Sequence, residues 1–194
     1  MSDWKGNQVA YVVTNGFANN NKHERATDDY YATEPKATEL LLTLDSFKNV
    51  WECACGEGHM AEVLKKHGIL GKATDLVDRG YGEVEDFLAS NEPWSGDIIT
   101  NPPYIHANKF IEKSMQLLAD GSKLALFLPI RYTEGKARKV LFEMYPPKKI
   151  WVSSSRLKCA INGDFGNMKE SAVSYAWFVW EKGYEGESKI GWFN

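Results

Sequence analysis

Val50-Trp51-Glu52-Cys53-Ala54-Cys55-Gly56-Glu57-Gly58-His59-Met60-Ala61-Glu62-Val63-Leu64 is the stretch whose reading decides the architecture. Val50 to Cys53 is a short apolar run that ends at turn residues, which predicts a buried strand. Gly56 and Gly58 then permit a tight turn and a close backbone approach to a ligand. Met60, Val63 and Leu64 recur at helical spacing until Gly68 and Gly71 stop the pattern. Strand, glycine loop and helix is the repeating unit of an open α/β sheet, whose ligands sit beyond the carboxyl ends of the strands. A dinucleotide fingerprint requires a third glycine, but His59-Met60-Ala61 follows Gly58 and none arrives, so pyrophosphate binding is disfavoured.

Outward from this unit, Lys72 to Leu76 predicts a second strand and Asp86-Phe87 the end of a third. Asp97–Thr100, Lys123–Leu128, Lys149–Val152 and Ala172–Glu181 supply the others. A helix over His106–Ala119 turns Ala107, Phe110, Ile111, Met115 and Leu118 inward and closes at Asp120-Gly121. After Arg131 another helix, stopped by Pro146-Pro147, has Ala137, Val140, Leu141 and Met144 on its expected inner face. Upstream, Thr33 is a candidate cap and Pro35 suits the first turn of a helix striped by Ala37, Leu40, Leu41 and Leu44. The expectation is a Rossmann-like α/β fold. Its sheet is mostly parallel and seven-stranded, with an antiparallel last strand and helices on both faces. Residues 1–28, polar and rich in Asn, are expected to form a flexible arm in which only Val9 to Val13 resembles a strand. Residues 29–194 form a single domain.

Composition excludes several classes. The chain of 194 residues is the size of one domain, and its 43% hydrophobic and 25% charged content is that of a globular protein. No apolar run approaches the roughly 20 residues that span a bilayer, and no secretory signal opens the chain, so a cytoplasmic location is expected. Cys53, Cys55 and Cys159 are too few for a disulfide framework. Cys53-x-Cys55 beside His59 lacks the spacing of a metal site, and no metal is expected. The net charge of -3 conceals a segregation: Arg131 to Lys158 holds eight basic residues against Glu134 and Glu143. A basic surface of that kind can neutralise phosphates.

Asp75, at the end of the second strand, is placed to accept hydrogen bonds from a ribose diol, and Asp86-Phe87 to hold an adenine by its amino group and face. Two acids around a glycine loop suit the sulfonium and ammonium of S-adenosylmethionine better than a phosphate. The most informative stretch is Asp97-Ile98-Ile99-Thr100-Asn101-Pro102-Pro103-Tyr104. Two prolines directly after a strand forbid further pairing and stiffen the turn. Such a turn aims the Asn101 side-chain oxygen and the Pro102 carbonyl at one point, where both accept from an exocyclic amine. Tyr104 adds a stacking surface. A plain strand-ending turn needs no Asn, Pro, Pro and aromatic in that order.

With these residues the chain resembles the amino-methyltransferases in which the cofactor loop precedes Asn-Pro-Pro-Tyr, typically N6-adenine DNA methyltransferases, and it looks most like the small phage-type members. The likeness runs from Asp28 to Trp192 and includes Tyr30-Tyr31-Ala32-Thr33-Glu34-Pro35 and Tyr175-Ala176-Trp177-Phe178-Val179-Trp180. It implies a class I methyltransferase fold with S-adenosylmethionine as cofactor. Thr33, Glu52, Gly56, Asp75, Asp86 and Phe87 would line the cofactor site, with Tyr31, Cys53, Ala54, Gly58, Leu76 and Asn101 beside them. Asn101, Pro102, Pro103 and Tyr104 would hold the target amine. Arg131, Arg156 and Lys158 are candidate contacts to nucleic acid, most plausibly DNA, and Phe165 a candidate second stacking surface for a flipped base.

Two departures stand out. Glu52-Cys53 replaces the Glu-Pro of many members, and the large target-recognition domain of restriction-type enzymes is absent. Recognition is then short and loop-based, or a specificity partner or second copy supplies it. The tetrad also admits methylation of a glutamine amide in a protein or of adenine in RNA. In a different class, a silent module could bind only cofactor or nucleic acid. The basic run and the short polar segment before the first helix favour DNA.

Overall fold

The computed structural model describes residues 31–157, 159–161 and 173–194. The elements in chain order are strand β1 (Tyr31–Thr33), helix α1 (Pro35–Leu44), β2 (Val50–Glu52), α2 (His59–Lys66), β3 (Leu70–Asp75), β4 (Glu83–Val84) and β5 (Ile98–Thr100). They continue with α3 (Ala107–Leu117), β6 (Lys123–Pro129), α4 (Lys136–Met144), β7 (Lys149–Ser153), β8 (Cys159–Ile161), β9 (Tyr175–Glu181) and β10 (Lys189–Phe193). Among these, no helix is long and apolar enough to cross a membrane. The expected 1–28 arm, with its Val9 to Val13 strand, lies outside the described residues.

Strand order is β10-β7-β9-β6-β5-β2-β3-β4, with β9 antiparallel to both of its neighbours and every other pairing parallel. This is a Rossmann-like α/β arrangement, with eight strands where seven were expected. The antiparallel strand is not the last one. β10 follows it and adds a parallel edge to β7. It escaped the sequence pattern because Ile190-Gly191-Trp192 is short and glycine-broken, and both Ile190 and Trp192 stay exposed.

Alternation along the strands sends neighbouring side chains to opposite faces. Ile98, Leu124, Leu126, Phe178 and Trp180 join Phe110, Ile111 and Leu141 of α3 and α4 in one core. Ile99, Ala125, Phe127, Trp177 and Val179 join Leu41, Met60 and Leu64 of α1 and α2 in the other. Two buried indole N–H groups tie helix to sheet: Trp177 donates to the Ala37 carbonyl and Trp180 to that of Tyr145.

Three local expectations need correction. Thr33 ends β1 rather than capping α1. The residue at the cap is Glu34, which makes no side-chain cap bond, and Pro35 opens the helix. On α4 the inner face is not Ala137, Val140, Leu141 and Met144. Val140 and Met144 are exposed, and Leu141 with Phe142 faces the sheet, because Phe142 packs against Phe178 and Trp180 while Arg138 lies over the Tyr132 ring at 4.4 Å. Helix α3 ends at Leu117, before Asp120-Gly121, where the Trp94 N–H captures the Leu117 carbonyl.

One buried carboxylate ties the amino edge of the sheet together. Asp97, 3% exposed, accepts 2.7 Å bonds from the N–H groups of Lys48 and Lys123, which stand at the approaches to β2 and β6. Charge-assisted bonds of this type contribute about 1.5–3 kcal/mol each. Asp97→Ala is expected to destabilise the fold by roughly 2–4 kcal/mol, seen as a loss of midpoint denaturant concentration with an unchanged m-value.

Candidate functional site

From β2 the chain steps outward to β3 and β4 on one side, then returns to β5 on the other side of β2. The crevice of such a sheet opens where the strands diverge at their carboxyl ends. A cleft of about 870 Å³, counting its open mouth, lies there. Tyr31, Thr33, Glu52, Cys53, Ala54, Asp75, Leu76, Asp86, Phe87, Asn101 and Pro103 all line it. Each lies on β1, at the end of β2, β3 or β5, or in the turn after β4, so the main sheet and the small β1–β8 sheet together collect them.

Gly56 and Gly58 shape the loop from behind the lining. Their φ values are 54° and 85°, and a Cβ on Gly58 would stand 2.4 Å from the Tyr81 ring. The loop closes through Gly58 N–H to the Cys55 carbonyl and is fixed to β3 by Gly56 N–H, which donates to Asp75 at 2.8 Å. The other Asp75 oxygen accepts from Val77 N–H at 3.0 Å. The carboxylate is therefore held in one orientation and keeps acceptor capacity at a residue that lines the cleft. Asp86 is exposed and accepts from Leu88 N–H. Phe87 is buried edge-on against Trp51, and Leu76, 66% exposed, offers an apolar surface at the cleft.

Buried polar atoms point to the ligand chemistry. Thr33 Oγ1, Glu52 Oε2 and Asn101 Oδ1 have no hydrogen-bond partner among the described residues, and all three residues line the cleft. An unmade bond at a buried group is costly, so such atoms mark where a ligand compensates. Glu52 is 2% exposed. Burial, then the nearby Asp75, pushes its carboxyl well above the usual carboxylate range, against the Ala61 N–H that it accepts from. A cationic ligand reverses that cost. Burial also pushes the thiols of Cys53 and Cys55 up, the latter to about 12, so both stay neutral and neither is an activated nucleophile.

At the far side of the cleft the tetrad turns the chain from β5 into α3. Pro102 is buried, and the Pro103 carbonyl accepts from His106 N–H. Asn101 Nδ2 donates to the Tyr31 carbonyl at 2.9 Å, which leaves Oδ1 as the amide's buried, unpartnered acceptor among the described residues. Tyr104 does not line the cleft. Its ring lies parallel to that of Tyr31, with centroids 6.2 Å apart, and burial raises its phenol well above the usual range. His59, Arg79 and His106 also line the cleft and were missed by sequence reasoning. His59 and His106, each directly beyond a glycine or tetrad turn, carried a usable positional signal; Arg79 carried none.

The basic run is divided by the fold. β6 is parallel to β5, so Arg131, just past its end, stands exposed at the cleft edge of the sheet, as do Lys136 at the start of α4 and Arg156 beyond β7. Arg156 donates to Ser174 Oγ at 2.7 Å. Lys148 and Lys149 lie at the opposite edge, paired with Glu181 and Asp45. The single basic surface expected from residue counting is therefore a smaller one. Lys158 and Phe165 lie outside the described residues.

Comparison with solved structures supports the fold. The chain superposes with TM-score 0.59 and 12% identity on a Listeria monocytogenes protein assigned to the class I S-adenosylmethionine-dependent methyltransferases, over 96% of this chain and 72% of that one. The M protein of the type I restriction enzyme EcoKI matches at TM-score 0.55 and 16% identity, over 91% of this chain and 47% of its own. The type IIG restriction endonuclease BpuSI matches at 0.59 and 14%, over 92% and 28%. The chain thus spans about half of the first restriction protein and less of the second. No protein-family profile and no curated protein matches it.

Glu52 yields a prediction with a defined sign. A carboxyl whose folded pKa is raised favours the fold below its ordinary pKa, and that contribution is lost as pH rises through the folded value. Without ligand, Glu52→Gln is expected to melt higher than wild type. The difference should be small near pH 4 and grow to roughly 2–4 °C or more by pH 8, measured by thermal denaturation across that range.

Proposed function

We propose that this chain is an S-adenosylmethionine-dependent methyltransferase that acts on the N6 amine of adenine in DNA. The observation that carries the reading is Asn101 Oδ1, a buried hydrogen-bond acceptor without a partner among the described residues, set on a two-proline turn at the wall of the cleft. The donor set fits the cofactor. Glu52, buried and short of a partner, suits a cation; Asp75, held by two backbone N–H groups, suits a diol; Leu76 and Phe87 supply apolar surface around Asp86. Thr33 and Tyr31, from β1, would close the same side.

When bound, the cofactor supplies a methyl group on a cationic sulfur. The protein's own part is positioning. By accepting from one N–H of the amine, Asn101 draws its lone pair out of conjugation and holds the nitrogen toward the cofactor side of the cleft. Pro102 and Pro103 keep that acceptor from retreating. Tyr104, Pro102 and the exposed Arg131 and Arg156 are the candidate contacts to the flipped base and the phosphates. The likeness to EcoKI M protein and BpuSI, both from restriction systems, supports DNA as the polymer. The basic residues at the cleft edge favour a polyanion. A partner that supplies site specificity is part of this reading.

The test is transfer of tritiated methyl from S-adenosylmethionine to duplex DNA, single-stranded DNA, RNA and protein extract in parallel, followed by digestion to identify the labelled base. Label in N6-methyladenine of DNA is the expected outcome, and label confined to protein would overturn it. Asn101→Ala is expected to lower kcat by about 100-fold or more while cofactor affinity stays near wild type.

A further inference from the structure

Asn101 can present its oxygen to an amine only if its amide does not rotate, and the nitrogen end shows how rotation is prevented. The amide N–H₂ has two donors. One meets the Tyr31 carbonyl at 2.9 Å, and Cys159 Sγ lies 3.9 Å from the same nitrogen. Both partners belong to a small antiparallel ribbon, β1 paired with β8, which stands apart from the main sheet. In that ribbon Thr33 is directly opposite Cys159.

Cys159 is 5% exposed, and burial raises its thiol to about 11, so it remains uncharged. Its sulfur receives a second donor, the Tyr104 hydroxyl at 3.8 Å. Tyr104 and Asn101 belong to one turn, and a single sulfur touches both. A sulfur atom is large and polarisable, so it accepts from divergent directions at distances where a hydroxyl oxygen would reach only one donor.

We propose that the β1–β8 ribbon is the positioning device of the tetrad: the Tyr31 carbonyl and the Cys159 sulfur together lock the Asn101 amide with its oxygen toward the cleft. Cys159 is a positioning residue, acting through Asn101 and Tyr104 and not on the reacting atoms. Because Thr33 of the same ribbon lines the cleft, the device joins the cofactor wall to the amine acceptor. Its part in catalysis rests on the methyl-transfer reading; the lock itself is a geometric property that can be measured without turnover.

The experiment compares Cys159→Val, which keeps the bulk and removes the acceptor, with Cys159→Ser, which keeps a shorter acceptor. In ¹⁵N-labelled protein the Asn101 side-chain amide, assigned through Asn101→Asp, is expected to exchange its protons about tenfold faster in the Val variant. The Ser variant should fall between Val and wild type. In transfer assays the Val variant is expected to lose about tenfold in kcat with cofactor affinity near wild type, and Ser to recover part of that loss. Unchanged amide exchange in the Val variant overturns the lock. Equal kcat losses in Val and Ser, or a kcat loss matched by lost cofactor affinity, overturn its positioning role. If wild type transfers methyl to no acceptor, the functional reading fails while the exchange result still decides the lock.

Discussion

Divergence of the sheet at β2 and β5 is the constraint on which the remaining features depend. Parallel strands force their connections across the faces, and where successive connections leave in opposite directions the carboxyl ends cannot both be covered. Glu52 and Asn101 stand at those two ends, and Asp75 at the end of the next strand out. The cleft is therefore a consequence of connectivity, and the two cores that flank it, one under α3 and α4 and one under α1 and α2, keep its walls from collapsing inward.

Within the cleft two different physical devices act. On the proposed cofactor side a buried carboxyl is kept short of a partner, which costs the unliganded protein stability and makes a cation a favoured occupant. On the proposed target side the device is rigidity: two prolines, a carbonyl and a sulfur restrain one amide. The first arrangement binds by relieving a cost, the second by removing freedom before the ligand arrives. Their meeting point is β1, which contributes a wall residue to one and a hydrogen-bond acceptor to the other.

The electrostatic surface is more economical than the composition suggests. β6 and β7 run in the same direction on either side of β9, each antiparallel to it, so the start and end of each strand lie at opposite edges and basic residues close in sequence are separated by the length of a strand. Lys148 and Lys149 neutralise Glu181 and Asp45 far from the cleft. Arg131 and Arg156, at strand ends, and Lys136, at the start of α4, stand exposed at the cleft edge. Local charge in a sequence window is thus converted to surface charge by topology.

Much of the frame was legible in the sequence. Period-two and short apolar runs, glycine turns and helical stripes placed most strands and α1 to α3 near their observed bounds, because these signals act over neighbouring residues. The glycine loop and the Asn-Pro-Pro-Tyr turn were legible for the same reason, since stereochemistry at Gly58 and at Pro102-Pro103 is local. What only the tertiary structure decided depends on groups distant along the chain. Leu141 and Phe142 face inward because of Phe178 and Trp180, β10 exists because β7 offers an edge, and Thr33 is a strand residue because Cys159 pairs with it. Cys159 itself looked like a leftover thiol. Its contact with Asn101 and Tyr104 requires a ribbon whose two strands are far apart along the chain, and no periodicity in a sequence encodes which distant backbone a short strand will meet.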